Sequence, residues 1–299
     1  MNTPNIEDID EINLNEILNL SLDDNLSINT NNTKRASYKI SHLTKYCYQK
    51  KIDYSINALR LYPQNNISQQ VHEWEVKAQG NLKHSTDGFG NICHHFNLFY
   101  PTDNLVISAN GVVTSNNINL IPNQDAEIDP CFYLQSFSKS TANSEMQIFA
   151  LDYTAQYETK YEKVFALMQA IHKYIKYSPN STNTETAAQQ AFTQQAGVCQ
   201  DFSHIFLACA RSIGIPVRYV SGYFYSPEQH HLASHAWIDA AVSNNQWLSL
   251  DVTNNITTNH KHIRIAVGPE YKNIAPIKGI QLGGEYEKMS VDINIQELS

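Results

Sequence analysis

Gly197-Val198-Cys199-Gln200-Asp201-Phe202-Ser203-His204-Ile205-Phe206-Leu207-Ala208-Cys209-Ala210-Arg211-Ser212-Ile213-Gly214-Ile215-Pro216 is the stretch from which this chain is best read. Phe202, Ile205, Phe206, Cys209 and Ile213 recur at the spacing of one helix face, and Gly214 and Pro216 end the run, so a buried helix is expected from Cys199 onward. Gly197 permits a tight turn into it. A cysteine in the first turn meets unpaired amides and the positive end of the helix dipole, which favour thiolate over thiol and suit a nucleophile. Cys209 lies inside the same helix on its core-facing stripe and reads as packing.

Downstream, strands are expected at Val217–Tyr225, Ser234–Val242 and Trp247–Val252, with Ser243-Asn244-Asn245 as the hairpin turn between the last two. A further strand at 262–267 ends in Gly268-Pro269. His235 opens the second strand and Asp251 closes the third. A thiol that attacks an amide needs a base, and the imidazole needs an acceptor on its other nitrogen to set tautomer and orientation. An ideal hairpin would set His235 about three residues beyond Asp251, which requires a bulge or a bent strand.

Upstream, Tyr161, Val164, Phe165, Leu167, Met168, Ile171, Tyr174 and Ile175 give an apolar stripe through 161–176, followed by a polar loop and a short helix at 186–195. Residues 38–114 alternate in short segments rich in Tyr, Val, Ile and Thr, with strands expected at 38–48, 56–61, 70–78, 91–100 and 104–114. The expected organisation is an acidic Asn-rich tail at 1–36, a β-rich N-terminal domain at 37–135, a connecting segment at 136–160 and a catalytic domain at 161–299. Ile6, Ile9, Ile12, Ile17 and Leu20 permit a short amphipathic helix at 6–20 that could dock on the body or on a protein partner. The alternative is an acidic tail that aids solubility.

The chain has 299 residues and a net charge of −8, of which seven acids and one lysine fall in residues 1–34. The remainder is nearly neutral and has no Lys/Arg cluster, which argues against nucleic acid or an anionic membrane as the main partner. Six residues, Ile205 to Ala210, make the longest apolar run, and no charged and apolar leader opens the chain, so a cytoplasmic protein is expected. Five irregularly spaced cysteines do not suggest a disulfide framework. Oligomeric state is not legible.

Other side chains have competing readings. Asp201 and His204 suit structural roles at the helix start and inside the helix. His231 and His235 have i,i+4 spacing, but on a loop entering a strand that spacing does not converge ligands, and no metal or cofactor is expected. His84, Cys93, His94 and His95 lie on a hairpin whose alternation points neighbours to opposite faces. Trp237, Tyr223 and Gln200 could line the substrate slot, although aromatic residues in strands are usually core. Arg218 and Arg264 could meet a substrate carboxylate or make a structural ion pair. An oxyanion would be held by the Cys199 N–H, with Gln194, Gln195 and Gln200 as candidates for a second donor.

Residues 197–204, Gly214-Ile215-Pro216-Val217-Arg218-Tyr219-Val220-Ser221-Gly222-Tyr223, Ser234-His235-Ala236-Trp237 and Leu250-Asp251-Val252-Thr253-Asn254 together resemble the bacterial transglutaminase-like superfamily. His262-Ile263-Arg264-Ile265-Ala266-Val267-Gly268 is similar to its downstream segment, and 38–114 to its N-terminal region. The resemblance implies a papain-like α+β catalytic fold, with Cys199 as nucleophile, His235 as general base and acid, and Asp251 as the orienting carboxylate. One departure is Val252, where the family pattern leads one to expect proline. The family includes acyl transferases and thiol peptidases, so the resemblance implies machinery more narrowly than reaction. Three functions stay open: a cysteine peptidase or amidase acting on a peptide or protein, an amine-accepting acyl transferase, and a non-catalytic interaction module. The intact Cys199, His235 and Asp251 set disfavours the last. An arylamine acetyltransferase would carry Arg-Gly-Gly before its cysteine, and the chain reads Gln195-Ala196-Gly197-Val198 there.

Overall fold

The computed structural model describes residues 34–123, 128–227, 234–285 and 287–298. The tail expected to hold a helix at 6–20, and His230 and His231, lie outside them. Strand geometry runs from Arg35 to Leu59 without interruption, so the two strands expected at 38–48 and 56–61 are one 25-residue strand, β1. It is followed by β2 (Gln69–Ala78), β3 (Lys83–Thr86), β4 (Ile92–Leu98) and β5 (Thr102–Asn116). These form an antiparallel sheet in the order β2-β5-β1-β4-β3. A register shift between Cys47 and Ile52 lets β1 pair β5 along its first half, while its last residues pair β4.

The rest of the chain runs β6 (Leu120–Pro122), α1 (Ser144–Thr154), α2 (Lys160–Tyr174), β7 (Lys176–Tyr177), α3 (Ala188–Gln194), β8 (Ala196–Gly197) and α4 (Cys199–Ser212). Then follow β9 (Val217–Phe224), β10 (His235–Ala241), β11 (Gln246–Asp251), β12 (Ile256–Thr257), β13 (His262–Gly268), α5 (Tyr271–Ile274), β14 (Ile277–Gly283) and β15 (Lys288–Leu298). The second antiparallel sheet has the order β12-β11-β10-β9-β13, with β6 on the far side of β11.

The helices begin where their caps dictate. Thr159 and Glu162 bond each other's backbone N–H in a capping box that starts α2. Asn143 accepts from the Met146 N–H and starts α1. In α4 every residue from Asp201 to Arg211 is buried. An element apolar on most of its circumference must be surrounded, and α4 packs against β9 and β10 on one side and against α1, α2 and α3 on the other. Its one internal cation, Arg211, gives N–H bonds to the carbonyls of Tyr133, Val217 and Pro269 and to the Ser140 hydroxyl.

Two parts of the expected organisation change. The stretch expected to connect domains, 136–160, contains α1, whose Met146 and Ala150 are buried in the same core as α4. At the other end, β14 and β15 leave the C-terminal half and pair along β1. Sheet membership therefore divides 161–299, with 277–298 returning to the N-terminal sheet. Ile293 and Ile295 of β15, Tyr38 and Ile40 of β1 and Val113 of β5 join Tyr223 and Ile263 in one continuous core. Between the sheets, Nδ1 of buried His42 meets the Tyr223 hydroxyl at 2.7 Å.

Candidate active site

Residues 195–201 form a short, heavily constrained approach to α4. Gln195 ends α3 in the left-handed region (φ 52°), and β7 and β8 pair in parallel, with Tyr177 beside Gly197. Asp201 folds back so that its carboxylate accepts the Val198 N–H at 2.8 Å and the Thr182 hydroxyl at 2.6 Å. Val198 has no polar side chain to cap the helix, and Asp201 makes the reciprocal contact instead, its carboxylate taking the N–H of the capping residue itself. Burial pushes the Asp201 carboxyl pKa up, and these hydrogen bonds oppose that. Gly197 makes the fold-back fit: a Cβ there would come within 2.5–2.8 Å of the Asp201 side chain. Cys199, half-buried, is the first residue of the helix.

His235 is the first residue of β10, and its Nε2 lies 2.7 Å from Oδ2 of Asp251, the last residue of β11. The Cys199 sulfur is near enough to act on the imidazole's charge, and with Nε2 on Asp251 the nitrogen left for the thiol is Nδ1. Burial by itself would push the His235 pKa down, but the Asp251 charge and the neighbouring sulfur more than reverse this, so the ring is held toward imidazolium. Burial likewise disfavours the charged form of Asp251, yet the His235 charge and the donors around it keep the carboxyl well below the usual range.

No bulge is needed to bring His235 and Asp251 together, contrary to the expectation above. The strands pair Ile238 with Leu250 and Ala241 with Trp247 in unbroken register. Continued, that register sets Asp251 across from Trp237, two residues from His235. An offset of two keeps both side chains on one face of the sheet, as diagonal neighbours within reach of a long side chain. The register shift in this sheet lies instead in β13, between Arg264 and Ala266.

Asp251 collects further donors. The Asn254 backbone N–H reaches Oδ1 at 3.1 Å and its side-chain amide reaches Oδ2 at 2.7 Å. The turn after β11 is thus closed on the carboxylate itself even with valine at 252. Nε2 of His262, at the start of β13, lies 3.1 Å from Oδ2. His235, Asp251 and His262 are the one group among the described residues whose ligand atoms could gather a metal, within 4.8 Å of one another. Both imidazoles already direct an N–H at one carboxylate oxygen, so the cluster is a hydrogen-bonded chain and not an open coordination sphere.

The remaining candidates fall elsewhere. Trp237 is 1% exposed and sits behind the imidazoles, its ring centroid 5.3 Å from that of His262. Tyr223 is equally buried and is tied to His42, so neither ring walls an open slot. Gln200 remains half-buried at the helix start, its amide 3.5 Å from the Thr184 carbonyl. His204, which burial pushes down to about 3, accepts the Tyr271 N–H as a structural histidine. Arg218 and Arg264 both pair with buried Asp239, Arg264 through both terminal nitrogens. His84 faces His94 across β3 and β4, while Cys93 points inward. Sequence reasoning passed over Tyr177, which is half-exposed and whose phenol pKa is raised by burial and by the Cys199 charge beside it. It also passed over Asn254 and His262 as partners of Asp251. A polar residue closing the turn and a histidine heading the next strand were the available signals.

A helix that begins on a cysteine, packed on an antiparallel sheet whose adjacent strands deliver a histidine and an aspartate to that end, is a papain-like α+β core. Its likeness to known proteins runs the same way. The transglutaminase-like superfamily model matches residues 147–252, and the model of the bacterial transglutaminase-like N-terminal region matches 38–114. The chain belongs to the transglutaminase-like superfamily. It is 28% identical to the uncharacterized protein ML0607 of Mycobacterium leprae, over 87% of this chain and 99% of that one. It is 26% identical to the uncharacterized protein Rv2569c of Mycobacterium tuberculosis, over 92% and 96% of the two chains. Among solved structures, the "Putative Cysteine Protease" of Cytophaga hutchinsonii superposes with a TM-score of 0.73 at 20% identity, covering 89% of this chain and 92% of that one, which establishes a shared fold. No helix among the described residues is long and apolar enough to cross a membrane.

Proposed function

We propose that this protein is a thiol enzyme that opens an amide or peptide bond through an acyl-thioester on Cys199 and passes the acyl group to water, as a cysteine peptidase or amidase. The observation that carries the reading is the line from Cys199 at the start of α4, through His235, to Asp251 at 2.7 Å. Sulfur adds to the carbonyl carbon and the π pair moves onto oxygen. The Cys199 N–H, in the first turn where amides have no helical partner, is placed to donate to that oxygen, and one such donor contributes about 3 kcal/mol. Collapse breaks the C–N bond as His235 gives its Nδ1 proton to the departing nitrogen. Water then adds to the thioester with His235 as base, the S–C bond breaks, and a carboxylic acid leaves. Asp251 holds the imidazole in the tautomer that both steps need.

The test is mass spectrometry of Cys199 after incubation with cell extract, in ¹⁸O-water and with a fluorescent primary amine. An acyl adduct on Cys199 that is lost in Cys199→Ala, with ¹⁸O in the released acid, is the expected result. Amine incorporated in place of ¹⁸O would move the protein to the acyl transferases. No adduct on Cys199 under any condition would overturn the thiol-enzyme reading.

A further inference from the structure

From the contacts of His262 we infer a fourth member of the catalytic line, a positioning residue that holds Asp251 against His235 as a neutral hydrogen-bond donor. The inference rests on the thiol-enzyme reading and names a residue for the same site. His262 lies on β13, separated from β10 in the sheet by β9, and its ring reaches across to Oδ2 of Asp251 at 3.1 Å. A carboxylate oxygen accepts only, so Nε2 must carry the proton. On the far side of the ring, Nδ1 accepts the Asn259 backbone N–H at 3.1 Å. A proton on Nδ1 would meet that N–H head-on. Nδ1 also lies 3.3 Å from Asn259 Oδ1, a longer contact to an oxygen that already accepts the Lys261 N–H at 2.9 Å. The backbone contact therefore sets the ring as the neutral Nε2–H tautomer. It is 5% exposed, with Phe224 at 4.7 Å and Trp237 edge-on at 5.3 Å between ring centroids. The ionisable groups that face it are His235 and Asp251, with His260 on the preceding turn and Arg264 two residues along the strand.

Two histidines on one oxygen thus have different tasks. His235 faces the thiol and exchanges protons, whereas His262 has no second state to adopt. Its N–H and the Asn254 amide bracket Oδ2, leaving the carboxylate one orientation toward His235. A carboxylate free to rotate would lose the imidazole, and with it the orientation of His235 toward Cys199. Gly222, across from His235 in β9, leaves room for this arrangement, because a Cβ there would collide with the Ile263 carbonyl and the Trp237 ring beneath the two histidines.

Iodoacetamide alkylation of Cys199 as a function of pH, followed by peptide mapping, reads this without a substrate. Wild type should alkylate at Cys199 faster than at Cys47 at pH 6, where a thiol with no base beside it reacts slowly. His262→Phe keeps the ring packing and removes the donor; it should slow alkylation of Cys199 at pH 6 by at least about tenfold. His262→Gln keeps an N–H donor and should restore most of the acid-side rate. An unchanged profile in folded His262→Phe, or no recovery in folded His262→Gln, would overturn the positioning role. Long-range ¹⁵N–¹H spectra of histidine-labelled wild type test the tautomer directly, whether or not the variants fold. An Nε2–H pattern for His262 between pH 5 and 8 is expected, and an imidazolium or an Nδ1–H pattern refutes the inference. If wild-type Cys199 alkylates no faster than Cys47 at pH 6, it is the thiol-enzyme reading that fails, and the spectra still decide the tautomer.

Discussion

Oδ2 of Asp251 receives His235, His262 and the Asn254 amide while Oδ1 takes the Asn254 backbone N–H. A carboxylate with that many donors is rigid, and replacing one oxygen by an NH2 group sets a donor against donors. Asp251→Asn should therefore fold but lower turnover by about 10⁴-fold, because His235 is forced toward the wrong tautomer; circular dichroism and single-turnover rates check both halves. Thiol chemistry offers a second test at this scale. Cys93 and Cys209 are buried, and Cys131, although exposed, has its thiol pKa raised by the hydrogen bond and charge of Asp129. In native protein at pH 7, iodoacetamide should modify Cys199 first, ahead of Cys47 and Cys131, as read by peptide mapping. The place of Cys199 at a helix start was open to inspection because Gly197 and the apolar stripe surround it in sequence. The contact of His262 with Asp251 was not, since its partner is eleven residues away on another strand.

At the scale of elements, the start of α4 depends on Gly197 and Asp201 together. Gly197→Ala should push the Asp201 carboxylate off the Val198 N–H and the Thr182 hydroxyl. The expected loss is about 1–3 kcal/mol from buried polar groups left unpaired, measured by urea unfolding. The same change should slow alkylation of Cys199, two residues away. Strand limits for β9, β10, β11 and β13 were legible to within a residue or so, because turn residues bracket β-branched and aromatic runs there. The pairing offset of His235 and Asp251 was not, because register depends on how the Ser243-Asn244-Asn245 turn closes, and one residue of slip reverses which face a side chain takes.

Across the whole molecule, β15 joins the first and last parts of the chain through Ile293 and Ile295. Ile293→Ala should destabilise the protein by about 2–5 kcal/mol; a denaturation midpoint lowered for both sheets at once would show that they unfold as one unit. The interface between sheets also carries His42, which burial holds down to about 4, against an ordinary value near 6.5. As pH falls through about 6.5 the unfolded chain takes up a proton that the folded chain refuses until about 4. Stability must then decline across that window, by on the order of 3 kcal/mol from this residue, and level off below it. His204 adds to the same decline. His42→Gln should flatten the pH dependence of the urea midpoint between 6.5 and 4.

Much of this protein is determined locally in its sequence. The helix at Cys199, the strands that begin at His235 and end at Asp251, and the β-rich first third follow from apolar periodicity and turn residues, which act between near neighbours in the chain. The tertiary structure alone decided that 277–298 pair with β1, that Tyr223 and Trp237 are buried, and that Asp251 is held by donors from three other places. Those outcomes depend on which strands become neighbours and on which face each side chain meets, and periodicity carries no information about distant partners.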